Sequence, residues 1–431
     1  MIKKRYRFLA AVLVIAAFAL IVTGCSKKDG ASTSGGSTKN LRFWTHQNEA
    51  WNPSNDRLAA AFMKENPDIK IEIEAFPYSD FEMKTQTALA SKSGGADIFE
   101  LWGGWILDFA PTGALAEVPD ALINSLKNDS YDPVLKGVAY NGKYYGVPIE
   151  FNQEGAGLLT LKPWFEEHKV SYPTTWDEMI DIARKNRVYN NGSFEMKGWN
   201  FCANDTLIFT YTAMIVSKGG SYLENDGHRF NFDTPIAREA LQTLVNYVAV
   251  DHLTDISTFL GSGLDNEYDV FLGTALMAPR GFWTIPTGKE MYDVDYGVDL
   301  DFIGLPFYGP QKKWVAETGW SQVVNAGTQY PEEAWKFVEY CHQTENLIQM
   351  AIDRGMIPPR KSAATNSTYL NAVPYARPIV DVLDGAVHIG YINTDVMKTS
   401  LVNVFVDMVQ NGLPIDAAVK RLTDECNAAA Q

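Results

Sequence analysis

Cysteine is scarce, with four residues in a chain of 431. Cys202, Cys341 and Cys426 stand far apart without metal-ligand spacing, and one disulfide among them would leave an odd thiol. A large core needs no staples, so these three are expected as small buried apolar side chains. Positive charge is also short: 37 Lys and Arg face 52 Asp and Glu, for a formal net charge of −15. Residues 1–24 carry Lys3, Lys4, Arg5 and Arg7 and no acid, so without those four charges the balance falls to −19. That acidity argues against nucleic acid as a partner. No catalytic spacing is found: no serine nucleophile elbow, no His-Glu-x-x-His and no P-loop, while Gly155-Ala156-Gly157 lacks the third glycine of a dinucleotide fingerprint. No cofactor is therefore expected. Repeats and a sandwich pattern are absent too, which counts against a surface adhesin.

Long apolar runs are confined to the start. Residues 8–22 form an uncharged stretch too short for a comfortable membrane span, preceded by the four cations, as in a secretory signal. Val22-Thr23-Gly24-Cys25 resembles the lipobox of bacterial lipoproteins, which implies cleavage after residue 24 and a lipid on Cys25. A non-cleaved anchor with a chance cysteine is the alternative, and either way the body faces outward. Residues 26–40 are mostly Ser, Gly, Thr and Lys with no large apolar side chain, so residues 25–40 are expected to form a lipid-anchored flexible tether. No later run approaches the ~18 apolar residues of a spanning helix, so the body is expected to be soluble. Its length favours two or three domains, and 46% hydrophobic residues supply a substantial core.

From residue 41 strands and helices alternate: a strand at 41–44, helix to 66, strand 69–75, helix 81–92, strand 97–101. This is the pattern of an α/β fold with a mainly parallel sheet, in which ligands bind beyond the carboxyl ends of the strands. The loops there are polar and aromatic. Trp44, His46 and Glu49 belong to the first, Trp102 and Trp105 flank two glycines in the third, and Trp283 and Trp320 stand in later ones. Indoles offer flat apolar faces to a ligand, and the polar groups offer hydrogen bonds. Trp44 and Trp51 taken singly also read as ordinary core aromatics. Trp164, Trp176 and Trp335 sit in helical contexts where core packing is the default, and Thr174 and Thr175 ahead of Trp176 signal a helix cap. Glu150, Asn152 and Glu154 follow a Pro/Gly-bearing stretch that reads as a connection between domains. Glu150 and Glu154 would serve as ligand acceptors or, on the rival enzyme reading, as a glycosidase carboxylate pair. Asp293, Asp295, Asp299 and Asp301 around Gly297 lack the EF-hand order, so a solvated strand or hairpin is favoured over calcium and no metal is expected.

Six segments together carry a family resemblance: ADIFELWGGW at 96–105, YYGVP at 144–148, PTTWDEMIDIARK at 173–185, FLGTALMAPRGFW at 271–283, GWSQVVNAGTQYPEEAWKFVEYC at 319–341 and MIPPRKSA at 356–363. In order and spacing the body resembles the sugar-type extracellular solute-binding proteins of bacterial ABC importers, the group that includes maltodextrin-binding proteins. The resemblance implies a two-lobed, periplasmic-binding-protein-like (type II) α/β fold with discontinuous lobes and a hinge. Its lobes would be 41–149 with 306–356 and 150–305 with 357–431, and the chain would cross near 147–151, 305–308 and 354–359. It implies a monomer that holds a carbohydrate in the interlobe cleft and hands it to the transmembrane permease subunits of an ABC transporter. Arg280 departs from the small residue common before the family's Gly-Trp pair, and either ion-pairs with a site acid, the favoured reading, or recognises a charged sugar.

Overall fold

The computed structural model describes residues 38–91 and 94–430. The signal segment, Cys25 and all but the end of the tether lie outside the described residues.

The first strand, β1 (Lys39–His46), begins two residues before the expected 41–44 strand and ends two after it. Its length is set by its neighbour: β1 pairs in parallel with β2 (Ile69–Phe76) residue for residue, from Lys39 opposite Ile69 to His46 opposite Phe76. Lys39 and Asn40, assigned to the tether by composition, therefore belong to the sheet. Parallel neighbours need a crossover, supplied by α1 (Asn52–Glu65), which has Pro53 in its first turn and buries Leu58, Ala59 and Phe62. After α2 (Tyr78–Ala90), β3 (Ile98–Trp102) pairs with the other edge of β1 only at Phe43 and Trp44. All five residues of β3 are buried, and α3 (Gly103–Phe109) follows directly. β4 (Val147–Pro148) closes the segment.

The middle of the chain builds a second sheet. β5 (Gly157–Thr160) is its central strand. α4 (Trp176–Asn186) starts on the expected threonine: Thr175 accepts from the Glu178 amide and Glu178 reaches back to the Thr175 amide, a complete capping box. α5 (Asn204–Ser217) is buried nearly all round, whereas α6 (Pro235–Ala249) is capped by Thr234 and buries one face. β6 (Met277–Pro279) and β7 (Asp301–Gly304) both run antiparallel to β5. The chain then returns as β8 (Trp320–Val324), which pairs antiparallel with β3 and with β4. The first sheet is thus ordered β2-β1-β3-β8-β4 and the second β6-β5-β7. α7 (Pro331–Cys341) and α8 (Thr344–Arg354) follow β8, and two long helices, α9 (Thr394–Asn411) and α10 (Ile415–Ala429), come last.

Buried apolar side chains form two clusters. One gathers Phe43, Phe99, Leu101, Val323 and Phe337 at the first sheet. The other gathers Trp199, Leu207, Phe209, Leu244, Leu401 and Phe405 among α5, α6 and α9. Adjacent residues of β5 divide between them, Leu159 to the first and Leu158 to the second, because alternate side chains leave a strand on opposite faces. Cys202, Cys341 and Cys426 are buried and unpaired.

A buried ion pair ties the end of α8 to the first sheet. Arg354, the last residue of α8, and Glu100 of β3 are both completely buried and bound to each other. Asn55 bridges the two, Thr45 donates to Glu100 at 2.8 Å, and the Trp51 indole donates to the Arg354 carbonyl at 3.1 Å. Three residues beyond Arg354, Ile357 accepts the Phe151 amide at 2.8 Å, so two strand-like connections lie side by side.

Candidate functional site

A cavity of about 270 Å³ opens where β1 and β3 end, β8 begins and the turn after β6 approaches. Its position beyond the carboxyl ends of parallel strands is the one expected for an open α/β sheet. His46, Trp102, Glu150, Asn152, Glu154, Trp283 and Trp320, all selected from the sequence, line it together. Trp44, Glu49 and Trp105 do not. Trp44 lies mid-strand between register partners on both sides: its indole donates to Glu74 at 3.0 Å and its ring packs edge-on against Phe99. His46, two residues on, lies past the point where β3 pairs with β1, so one flank is left to the cavity. Glu49 is exposed in the turn and accepts from Gln47 at 3.5 Å. Trp105 is buried behind the wall, with its indole donating to Asp395 at 2.7 Å.

Trp320 is the hub of the aromatic wall. His46 stacks on it at 4.0 Å between centroids and 8° between planes, while Trp51, Tyr78, Trp102 and Trp105 meet it edge-on. Burial, with the Arg354 charge adding to it, drives the His46 imidazole down to about 4, so the ring is neutral.

On the opposite wall Glu154 organises the turn after β6. Its carboxylate accepts the Gly281 amide at 3.0 Å and the Trp283 indole N–H. Gly281 is required by this packing, since a Cβ there would lie 2.6 Å from the Trp283 ring and 2.9 Å from the Glu154 carboxylate. The Arg280 guanidinium lies 5.1 Å from the Trp283 centroid and is surrounded by acids: Glu267 at 3.2 Å, Asp205 at 3.6 Å and Glu154 at 3.9 Å. Of the two roles open to Arg280, the structure presents the ion pair. Lys398 of α9 lies 4.9 Å from the Trp102 centroid and pairs with Asp205 at 2.7 Å and Asp395 at 3.2 Å.

Acids outnumber bases here, and their protons respond. Burial pushes Glu150 up to about 8, with Glu154 adding to the shift, and pushes Glu267 and Glu317 up to about 7 against the pull of Arg280 and Lys398 respectively. Glu154 is also raised by burial. Burial acts to raise Asp205 as well, but Lys398 and Arg280 outweigh it and hold the carboxyl low.

Asn48, Trp51, Tyr78, Gln153, Asp205 and Lys398 also line the cavity without having been selected from the sequence. Four of them carried a signal: Asn48 and Trp51 belong to the first polar-aromatic loop, Gln153 sits between two selected residues, and Tyr78 follows β2 where a ligand loop belongs. Asp205 and Lys398 lie inside helical stretches and carried none. Elsewhere, Trp199 packs edge-on against Trp176 in the core. The acids after α6 are engaged by protein groups, Asp293 and Asp295 by Lys289, Asp299 by the Asp295 amide, and Asp301 by Lys162 and Tyr172.

The profile of the family described as bacterial extracellular solute-binding protein matches residues 57–375. A multiple sugar-binding protein of Streptococcus mutans is 23% identical over 360 residues, covering 78% of this chain and 79% of that protein. Among solved structures, an ABC substrate-binding protein of Listeria monocytogenes in complex with cycloalternan superposes with a TM-score of 0.75 at 21% identity, covering 91% of this chain and 99% of that one. The maltose/maltodextrin-binding domain of Bdellovibrio bacteriovorus bound to maltotriose superposes with a TM-score of 0.73 at 17% identity, covering 90% and 99%.

Proposed function

The chain belongs to the family of bacterial extracellular solute-binding proteins, and on that premise we propose that it captures a carbohydrate, an oligosaccharide, in this cavity and delivers it to the permease subunits of an ABC transporter. The observation that carries the reading is one cavity walled by Trp102, Trp283 and Trp320 and edged by Glu150, Asn152 and Glu154. Indole rings match the C–H faces of a sugar, and carboxylates and amides match hydroxyls that are costly to bury unpaired. The relatives point the same way, through a sugar-binding protein by name and structures holding cycloalternan and maltotriose. Binding without hydrolysis fits the state of Glu154, whose carboxylate is committed to Gly281 and Trp283.

In this reading the protein is extracytoplasmic, monomeric and held to the membrane by a lipid on Cys25, with the following Ser/Gly-rich residues as the tether. Lobe boundaries fall at 149/150, 305/306 and 356/357. They are supported by the two sheets, β1–β4 with β8 and β5–β7. A ligand touching both walls would favour a closed arrangement. A thermal-shift screen against mono- and oligosaccharides tests the function. A saccharide at 100 times its dissociation constant is expected to add roughly 2.7 kcal/mol of stability. No shift with any saccharide, alongside a shift with another class of solute, would overturn the reading.

A further inference from the structure

Both cations of the cavity are already committed. Arg280 is enclosed by Glu154, Asp205 and Glu267, and Lys398 is shared by Asp205 and Asp395. Neither is free to receive a carboxylate or phosphate from a ligand. Glu150 is the reverse case. It is 6% exposed and lines the cavity, and its Oε1 accepts the Trp320 amide at 3.0 Å. Among the described residues no hydrogen bond reaches its Oε2, and no Lys, Arg or His lies within ion-pair distance of it. A desolvated carboxylate with an open oxygen in a ligand cavity is a strong receptor for a charged donor.

We infer that the saccharide bound here carries an amine, and that its ammonium group sits on Glu150. This rests on the carbohydrate reading above and sharpens it from sugars in general to amino sugars with a free amine. Burial dominates the proton on Glu150; the Trp320 amide and Arg354 favour its charged form, and Glu154 and Glu100 favour its protonated one. An arriving ammonium would displace the proton, so binding near neutral pH should release one.

The test is calorimetric titration of the full chain, purified in detergent, with glucosamine and its β-1,4-linked disaccharide against glucose and cellobiose. The amine-bearing member of each pair should bind at least about tenfold tighter, as expected for a buried charge-assisted hydrogen bond. Binding heats in two buffers of different ionisation enthalpy should report proton release for the amines alone. In Glu150→Gln, with unfolding curves to check the fold, the preference should fall towards one. Equal or tighter binding of glucose and cellobiose, no proton release, or a preference unchanged in Glu150→Gln would overturn the inference while leaving the carbohydrate reading standing. Absence of binding by any saccharide would overturn both.

Discussion

The indole N–H of Trp283 donates to the carboxylate of Glu154, 129 residues away in sequence, and the same carboxylate accepts the Gly281 amide. One acid therefore fixes both the turn and the ring that the turn presents. Glu154→Ala and Trp283→Ala are predicted to weaken saccharide binding each by roughly tenfold or more, and the double variant by much less than the product. A coupling of about 1 kcal/mol or more is expected for residues acting as a unit. Independent losses, measured by titration across the four proteins, would contradict it.

The buried pair of Arg354 and Glu100 anchors the start of a connection to the first sheet. Arg354→Met leaves Glu100 uncompensated and is predicted to cost about 3–5 kcal/mol of folding stability. Adding Glu100→Leu should restore most of it, because the desolvated charge is then gone. Urea unfolding measures both, and a loss below about 1 kcal/mol in the single variant would contradict the prediction.

Stability of the unliganded protein should depend on pH through its buried acids. Glu150, raised to about 8, and Glu267, raised to about 7, keep protons in the folded state that the unfolded chain gives up, so stability falls as pH rises towards those values. The buried histidines act oppositely. His46 is lowered to about 4 and His342 and His388 to about 3, so they add stability as pH rises to their ordinary 6.5 and nothing beyond it. Between pH 6.5 and 8 the acids decide, and stability is predicted to decline there, less steeply in Glu150→Gln. A profile that is flat or rises across that window in urea unfolding would contradict this.

Much of this was legible from local chemistry. Alternating strands and helices gave the first sheet because β1, α1 and β2 are contiguous and each carries its own period. The capping box at Thr175 was equally local. Loop aromatics were harder, because the difference between Trp44 and His46 is made by where β3 stops pairing, and a single strand does not record its neighbour's length. Trp102 and Trp105 differ likewise: only the packing of α3 against the start of α9 turns the second into the core, where it holds Asp395. Asp205 and Lys398 were invisible, since each sits in a helix that reads as ordinary and acquires its meaning from a partner nearly 200 residues away.

Membrane attachment is predicted to depend on Cys25. Cys25→Ala should accumulate as unprocessed precursor without lipid label in metabolic labelling with a fatty acid. Normal processing and continued labelling of that variant would refute the anchor.

The most direct test of the binding site is Trp283→Ala, titrated by calorimetry with the saccharide that stabilises the protein most and unfolded without ligand. A half-buried ring at the cavity wall should contribute about 2 kcal/mol to binding, a loss of roughly thirtyfold, while its removal costs the free protein little. Unchanged affinity with a loss of ~3–5 kcal/mol in folding stability, the behaviour of a core tryptophan, would contradict a saccharide seated against Trp283.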